Sequence, residues 1–217
     1  IATGGVYKTP IAATALEFVS SSANDSSAGT GAQEITIIGL NSSWVEVTQT
    51  IETNGTTAVA LGTDLVRLYR WYVSRTGTYA TQTAGSHAGN LTIRESGAGA
   101  TWATINVTPF AFGQSQIGCF TIPAGKTGYI VSKNFFSDSS KSVDLYFFSR
   151  ANADDVTTPF TGTMRIIERE VGLSGGFGPQ WKAGKGPLVG PCDIGFMGVI
   201  SIGNADIAVE FEVLLIG

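Results

Sequence analysis

Histidine occurs once in this chain, at His87, and cysteine twice, at Cys119 and Cys192. A lone histidine rules out a His–His metal site or a histidine-rich zinc cluster. Neither cysteine lies in a CxxC, and two cysteines make a poor disulfide framework for 217 residues. The expectation is a buried free thiol at each, with one bridge between them as the alternative. No run approaches 18 uncharged apolar residues, so no transmembrane helix and no membrane partner are expected. The opening residues also lack the basic n-region and cleavage site of a secretory leader.

Charge is scarce as well. Charged residues make up 14% of the chain, against a usual ~25%. The net charge is −4 and the pI about 5.0, which argues against a surface that wraps nucleic acid. Such a surface must be covered by Ser, Thr, Asn and backbone, or be hidden by partners. That suits a subunit packed among neighbours.

What the chain does have is period-two alternation. In residues 28–61, Ile35 and Ile37 flank Thr36, and Val45, Val47 and Ile51 share a side opposite Glu46, Thr48 and Thr50. This is half-buried strand patterning. Asn54-Gly55 then supplies a turn with positive φ, so two antiparallel strands and a turn are predicted. LVRLYRWYV, residues 65–73, places Leu65, Arg67, Tyr69, Trp71 and Val73 on one face, with large side chains on the other as well. Burial on both sides or a subunit contact would explain it.

Further strands are predicted at 114–122, 128–136, 142–150 and 163–171, and the cleanest is DIAVEFEVLLIG at the end. Residues 76–90 read as an irregular loop, with His87 at the surface. The segment 172–191, dense in Gly and Pro, reads as an ordered loop pinned by Phe177 and Trp181 that reaches a neighbour. About twelve strands and no helix emerge. The predicted fold is all-β, an antiparallel, jelly-roll-like β-sandwich with long Gly-rich loops. It is read as one domain over 1–217, with a weaker alternative break near 110–114.

Several near misses carry no chemistry. AGKTG in the turn at 122–128 lacks the full phosphate-loop spacing and a following helix. Asp154 and Asp155 are adjacent and belong to no EF-hand-type loop, although a cation held by loop carboxylates stays open. N-x-[ST] triplets, as at Asn41, Asn54, Asn90 and Asn106, are attributed to the abundance of these residues. No G-x-S-x-G elbow is present, and no catalytic, cofactor-binding or metal-ligating residues are assigned. Sugar binding by exposed Trp44, Trp71, Trp102 or Trp181 competes with core packing.

ALEFVSSSANDSS, TIIGL, ETNGT, LVRLYRWYVSRTG, AGNLTIRE and QSQIGCFTIPAGKTGYI, in that order and spacing, resemble a recurrent pattern in virion structural proteins of tailed bacteriophages, marine ones in particular. The resemblance covers residues 15 to about 150. It implies a non-enzymatic capsid decoration or cement protein, located on the virion surface and assembled in the host bacterial cytoplasm. The implied partners are the major capsid protein and copies of the chain itself, commonly as a trimer. The aromatic strand and the glycine-rich segment depart from the pattern, which leaves a tail, collar or portal-proximal position open. Arg67, Tyr69, Trp71, Phe177 and Trp181 are the candidate contacts, with core packing as the competing account of the aromatics.

Overall fold

The computed structural model describes residues 7–78, 85–137, 142–177, 184–200 and 207–217. Within them the chain is all-β, with fifteen strands and several antiparallel sheets. It divides into two compact units, Ile1–Ile117 and Gly118–Gly217.

The first unit holds β1 (Leu16–Ser20), β2 (Ala32–Leu40), β3 (Glu46–Glu52), β4 (Val59–Ala60), β5 (Arg67–Thr76), β6 (Leu91–Glu95) and β7 (Thr101–Ile105). One sheet runs β4-β1-β6-β7 and the other β3-β2-β5. Their inward residues meet in a common core that includes Leu16, Phe18, Ile35, Ile37, Trp71, Ile93 and Trp102. The hairpin predicted at 28–61 forms: β2 pairs with β3 from Glu34↔Glu52 to Leu40↔Glu46. Gly55 has the expected positive φ of 60°. The Asn41 carboxamide oxygen accepts from the backbone N–H groups of Ser43 and Val45 and shapes the β2–β3 turn.

In the second unit, β8 (Cys119–Ile122), β10 (Val143–Ala151), β11 (Met164–Leu173) and β14 (Cys192–Ile200) form a sheet of order β11-β10-β14-β8. β9 (Thr127–Ser137) pairs along its whole length with β15 (Ile207–Ile216). Two short strands, β12 (Gly175–Phe177) and β13 (Lys185–Val189), also pair with β9 and therefore share its other edge. The core gathers Ile122, Ile130, Phe147, Cys192 and Ile194, with Phe120, Phe196, Phe211 and Val213 packed against them. The rings of Phe147, Phe196 and Phe211 lie with centroids 4.7 to 6.1 Å apart and tie the two sheets together.

The segment 172–191 is not a continuous loop. It contributes β12, β13 and the end of β11 to sheet edges. Pro187 cannot donate a ladder hydrogen bond, and β13 accommodates it at an edge with a register break between Lys185 and Leu188. The turn at 122–128 forms, with Lys126 N–H donating to the Pro123 carbonyl and Gly125 at φ 75°. It joins β8 and β9, which lie in different sheets, so it makes a corner.

Candidate interaction surface

Three of the five residues expected at a contact are buried inside the first unit. Arg67 is 1% exposed, Tyr69 9% and Trp71 0%. They do not share a face as the alternation predicts. The β2–β5 register skips between Ile38↔Arg70 and Gly39↔Leu68, leaving Tyr69 as an extra residue. That bulge turns the strand over. Leu65, Leu68, Trp71 and Val73 point into the core, and Trp71 meets Phe18 edge-on at 6.3 Å. Arg67 donates to the carbonyls of Pro10 and Val66 and stacks over the Trp44 ring at 4.7 Å. The Tyr69 hydroxyl donates to the Glu46 carboxylate on β3; burial, then this acceptor, push its pKa strongly up. Phe177 lies in β12, and Trp181 falls outside the described residues.

His87 is buried, contrary to the surface position expected of it. Local polarity suggested exposure, but the two residues that follow it, Ala88 and Gly89, are held by the Asp25 carboxylate. One ring nitrogen, Nδ1, lies 2.7 Å from the Gly89 carbonyl, and among the described residues Nε2 has no hydrogen-bond partner. Beside it is Asp25, 0% exposed. Its carboxylate accepts from Ser20 Oγ at 2.6 Å and from the N–H groups of Ala32, Ala88 and Gly89 at 2.8–2.9 Å. A Cβ at Gly31 would lie 2.0 Å from Asp25 Oδ1, so only glycine allows this approach. Asp25 is a joint between loops, because every acceptor position it offers is taken by the chain's own donors.

The second unit holds a different polar cluster. Lys133, on the inward side of β9 and 1% exposed, pairs with Glu168 at 2.7 Å and Glu170 at 3.3 Å on β11. Lys185 of β13 reaches Glu168 at 2.8 Å. Burial pushes the Glu168 carboxyl up, but hydrogen bonds and charge from both lysines outweigh it and hold it below the usual range. Each charge faces an opposite one, and the cluster fastens one sheet to the other. Asp155 is likewise occupied, by the Thr157 N–H and by the N–H and hydroxyl of Thr161. Among the described residues no three His, Cys, Asp or Glu side chains gather as a metal site.

The exposed apolar side chains are unevenly spread. Among the described residues, Ile11, Val45 and Phe112 are the large ones exposed in the first unit; all the others lie in the second. On the outward side of β11-β10-β14, Met164 is 46% exposed, Ile166 47%, Met197 40% and Val199 50%. The pairings Arg150↔Met164, Phe148↔Ile166, Tyr146↔Met197 and Asp144↔Val199 put them on one face. Arg169 stacks over the Tyr146 ring at 5.3 Å and pairs with Asp144.

No family model, no curated protein and no solved structure matches this chain. The outward face therefore has to be read from its own chemistry. Met, Tyr, Phe and Arg side by side over the surface of a sheet have the composition of an interface core. Nothing in the sequence separated these side chains from core residues, since both are apolar on alternating strands.

Proposed function

We propose that this chain is a non-enzymatic structural subunit of a bacteriophage particle, decorating or cementing the capsid by bridging subunits of the major capsid protein. In this reading each unit is a jelly-roll-like β-sandwich and the chain acts as a homotrimer on the virion surface. The observation that carries the reading is the exposed apolar face over β11, β10 and β14, where Met164, Ile166, Met197 and Val199 stand out on a surface otherwise built as a sheet exterior. Scarcity of charge points the same way.

The mechanism is physical. Removing apolar surface from water contributes roughly 25 cal/mol per Å². Symmetry then repeats one modest contact many times, and linked contacts gain avidity without any new chemistry. Of the four tryptophans on which the sugar-binding alternative draws, Trp44, Trp71 and Trp102 are buried, and Trp181 lies outside the described residues.

The test is the mass of the native protein in solution together with its binding to undecorated capsids. The proposal expects a stable trimer that binds the lattice saturably. A monomer that ignores capsids removes it and directs attention to tail, collar or portal-proximal partners.

A further inference from the structure

Sheet edges differ sharply in how they are guarded. Among the described residues, β4 and β12 are two and three residues long. β13 carries Pro187 and a register break, and β11 breaks register twice against β10. β3 presents Glu46, Thr48, Thr50 and Glu52 outward. Short length, proline, bulges and charge are the devices by which proteins blunt an edge. β15 has only the last of them. It runs for ten residues without proline, and the described residues place a partner, β9, on one side of it alone. The one irregularity of that pairing leaves Val131 of β9 as the extra residue, so the backbone of β15 itself stays regular.

Two further observations concern what is missing beside it. The inward side chains of β15, Ile207, Val209, Phe211, Val213 and Leu215, are all half-buried, whereas Ile130 and Phe135 on the neighbouring β9 are fully buried. The opposing sheet is four strands wide, but this one is three rows wide, with β12 and β13 sharing a row. One more strand beside β15 would cover the apolar flank. On the outward side, Glu210 lies across from Asn134, and Glu212 accepts from the Ser132 hydroxyl. Among the described residues neither carboxylate has a basic partner.

We propose that the open edge of β15 receives an extended polypeptide strand of alternating apolar and basic residues, supplied by a different protein. The apolar residues would cover Val209, Phe211 and Val213, and Lys or Arg would face Glu210 and Glu212, as in strand addition to a sheet edge. Charge selects against a second copy. Antiparallel self-pairing centred on Phe211 sets Glu210 of one chain opposite Glu212 of the other, and like charges directly opposed are destabilising. The inference builds on the assembly reading above by naming the chemistry of one partner.

The test uses two peptides of the length of β15, one alternating Val and Lys, the other Val and Glu, titrated onto the full chain. Binding is read by fluorescence anisotropy and placed by amide hydrogen exchange. The expected result is saturable binding of the Val/Lys peptide with protection gained along β15, and an affinity lower by about tenfold in Glu210→Lys/Glu212→Lys, from two cross-strand charge pairs inverted. The Val/Glu peptide should show the reverse preference.

Absence of binding, protection gained elsewhere, or an affinity indifferent to the charge reversal would overturn the proposal. So would protection of β15 that rises with protein concentration alone, which means a second copy occupies the edge. A chain that takes the peptide on β15 but ignores capsids keeps this edge and loses the particle reading. A chain that saturates capsids while β15 stays unprotected by peptide does the opposite.

Discussion

Lys133 Nζ lies 2.7 Å from Glu168 Oε1, joining the inward side of β9 to β11 in the other sheet of the second unit. The lysine is 1% exposed, while Glu168 and Glu170 keep 20% and 28% of their side-chain surface in water. The two partners therefore stand to lose different amounts when separated. Removing both carboxylates, in Glu168→Ala/Glu170→Ala, takes two ion pairs from a buried ammonium and should cost about 3–5 kcal/mol. Lys133→Met replaces the lysine with an apolar chain of similar volume and leaves Glu168 paired with Lys185. Its cost should stay below about 1.5 kcal/mol. Hydrogen-exchange free energies of β9 and β11 amides check both, and equal losses would show the charge to be irrelevant.

The same cluster gives the second unit an acid limit. The Glu168 carboxyl is held below its ordinary value in the folded chain. A depressed carboxylate contributes stability above its unfolded pKa, about 4.3, and that contribution disappears as pH falls through the folded value. Unfolding of the second unit should thus steepen below about pH 4.3 in the native chain. The steepening should shrink in Glu168→Gln, as followed by acid titration of exchange protection on β9.

Asp25 ranks its own variants. Asp25→Ala strands three backbone N–H groups and the Ser20 hydroxyl, at about 1–3 kcal/mol for each buried donor left unsatisfied. Asp25→Asn keeps one acceptor oxygen but turns an NH₂ toward a site filled by donors. The order of stability should be native, then Asn, then Ala, read from urea denaturation of the first unit by tryptophan fluorescence. An Asn variant as unstable as Ala would mean that geometry rather than hydrogen bonding holds the joint.

Burial pushes both thiols up to about 11. Because only the thiolate reacts, alkylation of the folded chain should be slow at pH 8 and accelerate toward pH 11, with unfolding abolishing the delay. A folded pKa raised above the unfolded one also means stability that is complete below about pH 8.5 and is lost as pH climbs through the folded value. The two thiols should not form a bridge on oxidation of the folded chain. Cys192 faces the core, whereas Cys119 pairs with Gly195 on the other side of the sheet.

Charge placed on the outward face should separate folding from assembly. Ile166→Glu/Met197→Glu changes two exposed side chains, so stability should move by no more than about 0.5 kcal/mol each. Self-association and capsid binding should nevertheless fall sharply, as measured by sedimentation and lattice titration. Unchanged association would remove β11-β10-β14 as the contact.

Alternation in the sequence located most of the strands because a half-buried strand must alternate, and β15 and the β2–β3 hairpin follow it closely. It failed at LVRLYRWYV for a specific reason. One inserted residue in a paired strand has no compositional signature, so Arg67, Tyr69 and Trp71 read as one face although the bulge at Tyr69 divides them. In 172–191 the prolines and glycines that exclude an interior strand still permit edge strands. His87 looked exposed because its surroundings in sequence are a Gly- and Ser-containing loop, while that loop is held by Asp25, some sixty positions earlier. Met164 and Met197 were beyond reach, since hydropathy does not distinguish a side chain that faces a core from one that waits for a partner.

The Asp25 joint is the inverse of a cation site: one anion gathers donors, where a bound metal would gather carboxylates. Chelators have nothing to extract from it, and dilution into a cation-poor medium removes no part of it. Loops 20–32 and 86–90 carry their own fastening, so the geometry they hold is independent of the ionic composition outside.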